Sequence, residues 1–209
     1  MSPAKLITVE GIEGVGKSTH IGFICDLLRA RGIDVVATRE PGGTRLGERI
    51  RDLLLDHSSP AMHPDTELLL IFAARAEHIH QVVLPALAAG RWVVCDRFTD
   101  ASYAYQGGGR GIAGSRIAAL ERWALGDLQP HLTLLLDACV ETALARMKGR
   151  RGADRFECEA VNFFVRVRRA YLERAAQQPQ RICVIDANGS VEAVRRLISC
   201  ACYQLIAAG

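Results

Sequence analysis

No uncharged apolar run in this chain approaches the roughly 20 residues that span a bilayer, and the stretch from Leu197 to Ala208 is shorter and reads as a helix against the protein body. A membrane role therefore has no support. Charge of one sign is also scarce: 26 Lys and Arg against 23 Asp and Glu leave a net charge of +3. That is too mild for a protein that coats a nucleic-acid polymer with a strongly basic face. The seven cysteines lack the paired spacings of a zinc site and sit mostly in apolar stretches such as Val93-Val94-Cys95 and Ile182-Cys183-Val184. They read as reduced core thiols of a cytoplasmic protein. The first residues lead into an apolar strand without an export-type leader, and no internal repeat, low-complexity tract or linker interrupts the chain. A single domain over residues 1–209 is expected.

What is present is alternation. Apolar runs around 5–10, 33–38, 91–96, 132–137 and 181–186 have strand character, and stretches of helical periodicity cover 17–30, 45–56, 65–89, 114–126, 140–147, 157–177 and 190–207. This pattern predicts an α/β fold with a five-stranded parallel sheet covered by helices on both faces. Right-handed crossovers then bring the strand ends Glu10, Arg39, Asp96, Asp137 and Asp186 to one rim, where ligands of such sheets collect. Gly32 and Gly90 read as helix stops, and Pro85 should bend or weaken the long third helix.

Directly after the first apolar run, Gly11-Ile12-Glu13-Gly14-Val15-Gly16-Lys17-Ser18 fits the phosphate-binding loop, with two glycines separated by four residues and followed by Lys and Ser. The glycines let backbone N–H groups turn toward phosphate oxygens, Lys17 adds a point charge, and Ser18 can hold Mg²⁺ at a helix N-terminus. The loop implies a nucleoside triphosphate without choosing the reaction. Thr38-Arg39-Glu40-Pro41-Gly42-Gly43-Thr44 ends the second strand; Arg39 can fork onto a phosphate or pair with Glu40. The third strand delivers Asp96 and Arg97 together, suited to a metal and to an acceptor phosphate, or to each other as a buried pair. Ser102-Tyr103-Ala104-Tyr105-Gln106-Gly107-Gly108-Gly109 sets polar and aromatic groups before a glycine run that reads as flexible, a mixture suited to a base edge and a sugar. Phe72 and Arg75, three residues apart on a helix, share a side and could take a flat heterocycle, although an aromatic in Leu68-Leu69-Leu70-Ile71-Phe72 is also what a core needs. Arg146, Lys148, Arg150, Arg151 and Arg155, broken by Gly149 and Gly152, read as a mobile lid over about 146–157 or as a solvated basic loop. His78 and His80 read as a solvated or partner-facing surface.

In this order and spacing the motifs resemble thymidylate kinase, from the first strand to the last helix. Glu10 to Thr19, Thr38 to Thr44, Asp96-Arg97-Phe98, Tyr105 to Gly111 and Asp154-Arg155-Phe156-Glu157 carry the resemblance. The phosphate loop holds Glu13 and Val15 and no Arg, so the chain is similar to the bacterial-type subgroup in which the lid supplies arginines. The resemblance implies transfer of the γ-phosphoryl group of Mg·ATP to dTMP, as a step toward dTTP, by a nucleoside monophosphate kinase that is typically a homodimer. It assigns ATP to Gly11, Ile12, Glu13, Gly14, Val15, Gly16, Lys17, Ser18, Thr19 and Arg146, with Ser18 and Asp96 serving Mg²⁺. It assigns dTMP to Glu13, Arg39, Phe72, Arg75, Arg97, Ser102, Tyr105 and Gln106, and catalysis to Lys17, Asp96, Arg97 and Arg150. Many members space the stacking aromatic four residues before the Arg, where this chain has three. The segment Asp186-Ala187-Asn188-Gly189 is similar to the adenine side. A deoxynucleoside kinase would leave Arg39 without a phosphate partner, and a GTPase switch would need an Asn-Lys-x-Asp segment that the chain lacks.

Overall fold

Five short apolar runs form the strands β1 (Leu6–Glu10), β2 (Val35–Arg39), β3 (Trp92–Asp96), β4 (Leu132–Asp137) and β5 (Ile182–Asp186) of a computed structural model that describes residues 3–56, 62–147 and 161–208. All pair in parallel, in the order β2-β3-β1-β4-β5. The order explains the strand sequences. The three central strands are almost wholly buried, while the edge strands β2 and β5 mix buried with exposed positions. Consecutive side chains leave opposite faces: Leu6 joins one hydrophobic cluster and Ile7 and Val9 another. Thr8 and Glu10 therefore share Leu6's face, where Thr8 meets Thr133 at 2.8 Å. Because β1 lies between β3 and β4, chain connections depart to both sides of its carboxyl end and leave the crevice there.

Helices α1 (Lys17–Arg29), α2 (Arg45–Leu55), α3 (Pro64–His78), α4 (Leu84–Ala88), α5 (Thr99–Ser102), α6 (Gly114–Leu125), α7 (Val140–Met147), α8 (Val161–Gln177) and α9 (Val191–Ala207) fill the connections. The Thr44 and Ser190 hydroxyls cap α2 and α9 by accepting from Gly47 N and Ala193 N. Helix α1 has Gly16 at that position in a left-handed conformation and no side-chain cap, so its first N–H groups are left to a ligand. The long third helix does not run unbroken to residue 89. A π-helical segment, Ile79–Val83, separates α3 from α4, immediately before Pro85, whose missing N–H cannot continue the regular ladder.

Two further expectations change. The glycine run is not a flexible loop, because α5 continues into a π-helical segment, Tyr103–Gly109, that lies against α8. A Cβ at Gly108 would stand 2.5 Å from the Ala170 Cβ, and one at Gly109 would stand 2.5 Å from the Phe163 ring. These glycines serve close approach of two helices. His78 is not solvated: it is fully buried, with Nδ1 2.9 Å from Glu40 and Nε2 2.7 Å from the Thr38 hydroxyl. His80 is exposed, as expected. Beneath α5, Asp100 is clamped by Arg181 through both carboxylate oxygens and by Arg174, which ties this helix to the sheet.

Gly108→Ala forces α8 away from the π-helical segment and should lower stability by about 1–3 kcal/mol. Urea unfolding checks this, with Gly32→Ala, whose Cβ meets nothing within 4 Å but whose φ is +74°, as a strain-only comparison.

Candidate active site

The carboxyl ends of β1 and β3 lie side by side, and their last residues build one cleft. After β1 the chain turns through Gly11, Gly14 and Gly16, all at positive φ, and Lys17 Nζ folds back to donate to the carbonyls of Gly11 (2.9 Å) and Ile12 (2.8 Å). Gly11 has no room for a side chain, since a Cβ there would lie 2.4 Å from the Leu136 carbonyl oxygen. Burial, and next the Arg97 charge, lower the Lys17 ammonium to about 8, so an anion placed beside it is what this group lacks.

After β3 comes Arg97, the one non-glycine residue with positive φ (65°) among those described. Such a backbone persists only where its surroundings hold it. Its N–H donates to Val9 O; Nη1 donates to Gly11 O (3.1 Å) and the Tyr171 hydroxyl (3.2 Å), and Nη2 to Glu13 (2.6 Å) and the Tyr105 hydroxyl (3.0 Å). Glu10 secures the same region from below, accepting from Phe98 N at 2.7 Å and from the Tyr171 hydroxyl at 2.7 Å. Glu10 is wholly buried. Loss of water, then the neighbouring Asp100 carboxylate, push its pKa up to about 7. Asp96 presents a buried Oδ1 that has no hydrogen-bond partner among the described residues.

The opposite wall comes from α3 and from the segment after Phe98. Arg75 is 2 % exposed and donates from Nε to Glu40 (2.6 Å), from Nη1 to Ser102 (2.9 Å) and from Nη2 to Phe98 O (3.0 Å). Three of its five N–H groups are engaged, which holds the plane rigid while leaving donors for a ligand. Gln106 lines the same cleft, with Nε2 donating to Glu67 at 2.9 Å. The cleft is lined by Glu13, Gly14, Gly16, Lys17 and Ser18 of the phosphate loop and the start of α1, by Glu40, Arg75, Ser102 and Gln106, by Asp96 and Arg97, and by Tyr105, whose hydroxyl donates to Glu13. A phosphate loop thus faces a polar, base-sized wall across an acid and an arginine.

Comparison with known proteins gives the family. The sequence model of the family described as thymidylate kinase matches residues 9–198. The chain belongs to the thymidylate kinase family. The thymidylate kinase of Nitrosomonas europaea is 55% identical over 199 residues, covering 95% of this chain and 92% of that protein. The thymidylate kinase of Pseudomonas entomophila is 59% identical over 192 residues, covering 92% of this chain and 91% of that protein. Among solved structures, the thymidylate kinase of Ehrlichia chaffeensis superposes with a TM-score of 0.77 at 32% identity, over 95% of this chain and 99% of that one. Thymidylate kinases are phosphotransferases that act on dTMP with ATP.

Not every residue expected in a thymidylate kinase site lines the cleft. Phe72 turns away from it into a core cluster with Leu68, Val93 and Phe98, and Arg75 lies over its ring at 4.6 Å. Ile71, four residues before Arg75, is the side chain that reaches the cleft. Arg39 is not paired with Glu40; it is half exposed and donates to Glu48 at 2.7 Å, while Glu40 is buried with Arg75 and His78. Gly11, Ile12 and Val15 belong to the loop without lining the cleft, and Thr19 is exposed on α1. Arg146 reaches the last βα loop, donating to Ala187 O (2.9 Å) and Asn188 O (3.3 Å). Arg150 and the Asp154–Glu157 signature lie outside the described residues. The sequence reading missed Arg51, Glu40, Ile71 and Glu67. A signal existed for Arg51: with Gly47 and Leu55 it repeats every four residues along α2, and both Arg51 and Leu55 line the cleft.

Two outcomes follow for these side chains. Phe72→Leu should cost about 1 kcal/mol of stability and leave KM for dTMP unchanged, whereas Ile71→Ala should raise that KM; steady-state kinetics with thermal melts distinguish the two. Glu10 binds its proton more tightly when folded, so its stabilising contribution is full below about pH 4.5 and is lost as pH rises through about 7. Glu10→Gln should therefore gain on the wild type as pH rises across that window, by up to roughly 3 kcal/mol, measured by urea unfolding at a series of pH values.

Proposed function

We propose that this cleft carries out the reaction of its family as follows: dTMP lies against the wall formed by Arg75, Ser102, Tyr105 and Gln106, and its phosphate meets the γ-phosphoryl group of ATP between Arg97 and Lys17. The observation that supports the reading is that one continuous cleft joins the phosphate loop to a buried donor wall across Asp96 and Arg97. An acceptor phosphate oxygen attacks the γ-phosphorus, the bond to the bridging oxygen breaks, and ADP and dTDP leave. A phosphomonoester has its second pKa at about 6 and is already mostly dianionic at neutral pH, so no general base is needed. The barrier is repulsion between two anions, and the residues answer it with charge and orientation.

Arg97 is suited to bridge donor and acceptor because its guanidinium is held on four protein oxygens. Glu13 holds Arg97 and the Tyr105 hydroxyl, and on this reading also faces the acceptor sugar. Tyr105, buried beside Arg97, crowds the side of the ribose where a 2′-hydroxyl would sit. Arg51 from α2 lies at the same end of the cleft, and Arg39 joins it once released from Glu48, an exposed pair worth little. Arg146, beside the last βα loop, supplies further positive charge toward ATP.

The donor set fits Mg²⁺. Asp96 offers a buried carboxylate oxygen with no partner among the described residues, and Ser18 stands at the uncapped start of α1. Among the described residues no cluster of three His, Cys, Asp or Glu exists, as suits an ion that takes most of its ligands from phosphates and water. Bound there, Mg²⁺ would neutralise charge on the transferring phosphates. Exposed Leu53 on α2 and Leu69 on α3, two helices packed on each other, support a homodimer through this face. The free buried thiols Cys25, Cys95 and Cys202 support a reducing, cytoplasmic location.

An ADP-release assay with dTMP, dUMP, dCMP and dGMP tests the assignment. Turnover should depend on dTMP, and Arg97→Ala should cut kcat by at least about a hundredfold with ATP affinity nearly unchanged. No turnover on dTMP, or equal turnover on dGMP, overturns it.

A further inference from the structure

Glu67 is the one fully buried carboxylate on α3, and it does not line the cleft. An acid in that position is costly unless something needs it there. Two side chains do. Gln106 Nε2 donates to Glu67 Oε1 at 2.9 Å, and Arg110 approaches both carboxylate oxygens at 3.4 Å while lying over the Phe163 ring at 4.9 Å.

The consequence concerns the two ends of the Gln106 amide. A carboxylate flanked by a guanidinium accepts hydrogen bonds and offers none, so only the NH₂ end of Gln106 can face Glu67. The amide therefore has one stable orientation, with its oxygen as the atom presented to the cleft. Arg75, fixed by Glu40, Ser102 and Phe98 O, presents donors to the same cleft. The wall thus reads as donor then acceptor. A thymine edge offers O4 and N3–H, its complement. A cytosine edge offers an amino group and a bare N3, which opposes both groups.

Resting on the proposed placement of dTMP, we propose that Glu67 is a positioning residue that sets the choice of pyrimidine: it locks the Gln106 amide with its oxygen toward the base, so that imide-type bases are accepted and cytosine is refused. Glu67 touches no substrate. It acts through Gln106.

The test compares kcat/KM for dTMP and dCMP in the full-length wild type and in Glu67→Gln. A neutral amide at position 67 accepts either end of Gln106, so the dTMP:dCMP ratio should fall by at least about tenfold, with the loss in KM for dTMP and not in KM for ATP. The exchange Glu67→Gln/Gln106→Glu places the donor on α3 and an acceptor on the cleft side again, and should restore the ratio. A folded Glu67→Gln with an unchanged ratio overturns the proposal. If that variant does not fold, the exchange variant is read alone: a ratio near wild type supports the proposal, and a collapsed ratio in folded protein overturns it. Failure of the functional reading shows separately, as a wild type inactive on dTMP.

Discussion

The structure is organised around one constraint: the Arg97 guanidinium is largely buried and held immobile in the cleft at the carboxyl ends of β1 and β3, where the proposed reaction would bring two phosphate groups together. A cation withdrawn from water is costly unless its hydrogen bonds are satisfied, and here they are met by the Gly11 carbonyl, Glu13, Tyr105 and Tyr171. Those four partners come from the phosphate loop, the π-helical segment and α8, so holding one side chain draws three parts of the chain onto the end of β1. The positive φ at Arg97 is part of this arrangement. It turns the side chain back over β1 while Glu10 takes the Phe98 N–H that the turn exposes.

The same device recurs on the base side with different chemistry. Arg75 and Gln106 are each fixed by a buried acid, Glu40 within the cleft lining and Glu67 outside it. Glu40 fixes Arg75 and is in turn oriented by His78, whose far nitrogen meets Thr38. Glu67 fixes Gln106 and is flanked by Arg110. Beneath them Asp100, held by Arg174 and Arg181, anchors α5 and raises the proton affinity of Glu10. Few hydroxyls or amides there are left to choose their own rotamer, the preorganisation that the proposed reading of a flat base by direction of hydrogen bonding requires.

Much of this was legible in sequence because it is local. The phosphate loop, the Asp96-Arg97 pair and the five strands are each written within ten residues, and their spacing carries the geometry directly. Ser102 and Gln106 were legible as polar groups in the segment after the third strand, and Arg75 as a guanidinium on a helix. The failures were of a different kind. On a helix one residue is 100° of rotation, so nothing local said that Ile71, and not Phe72, would face the cleft. Gly108 and Gly109 looked flexible because the reason for these glycines, the surface of α8, lies more than fifty residues away. Arg39 and Glu40 are adjacent in sequence, but the strand sends one outward to Glu48 and the other inward to Arg75 and His78.

The amino-acid sequence by itself determined the parallel α/β architecture, the phosphate loop, the acid and arginine at the end of β3, and the family, since each rests on periodicity or spacing along the chain. Only the tertiary structure decided which groups share a hydrogen bond: Glu10 with Tyr171 across 161 residues, Arg97 with Glu13 across 84, and Gln106 with Glu67 across 39. The physical reason is that side-chain direction at these sites is fixed by the order of strands in the sheet and by the rotation of each helix on it. Neither quantity is contained in any short stretch of residues.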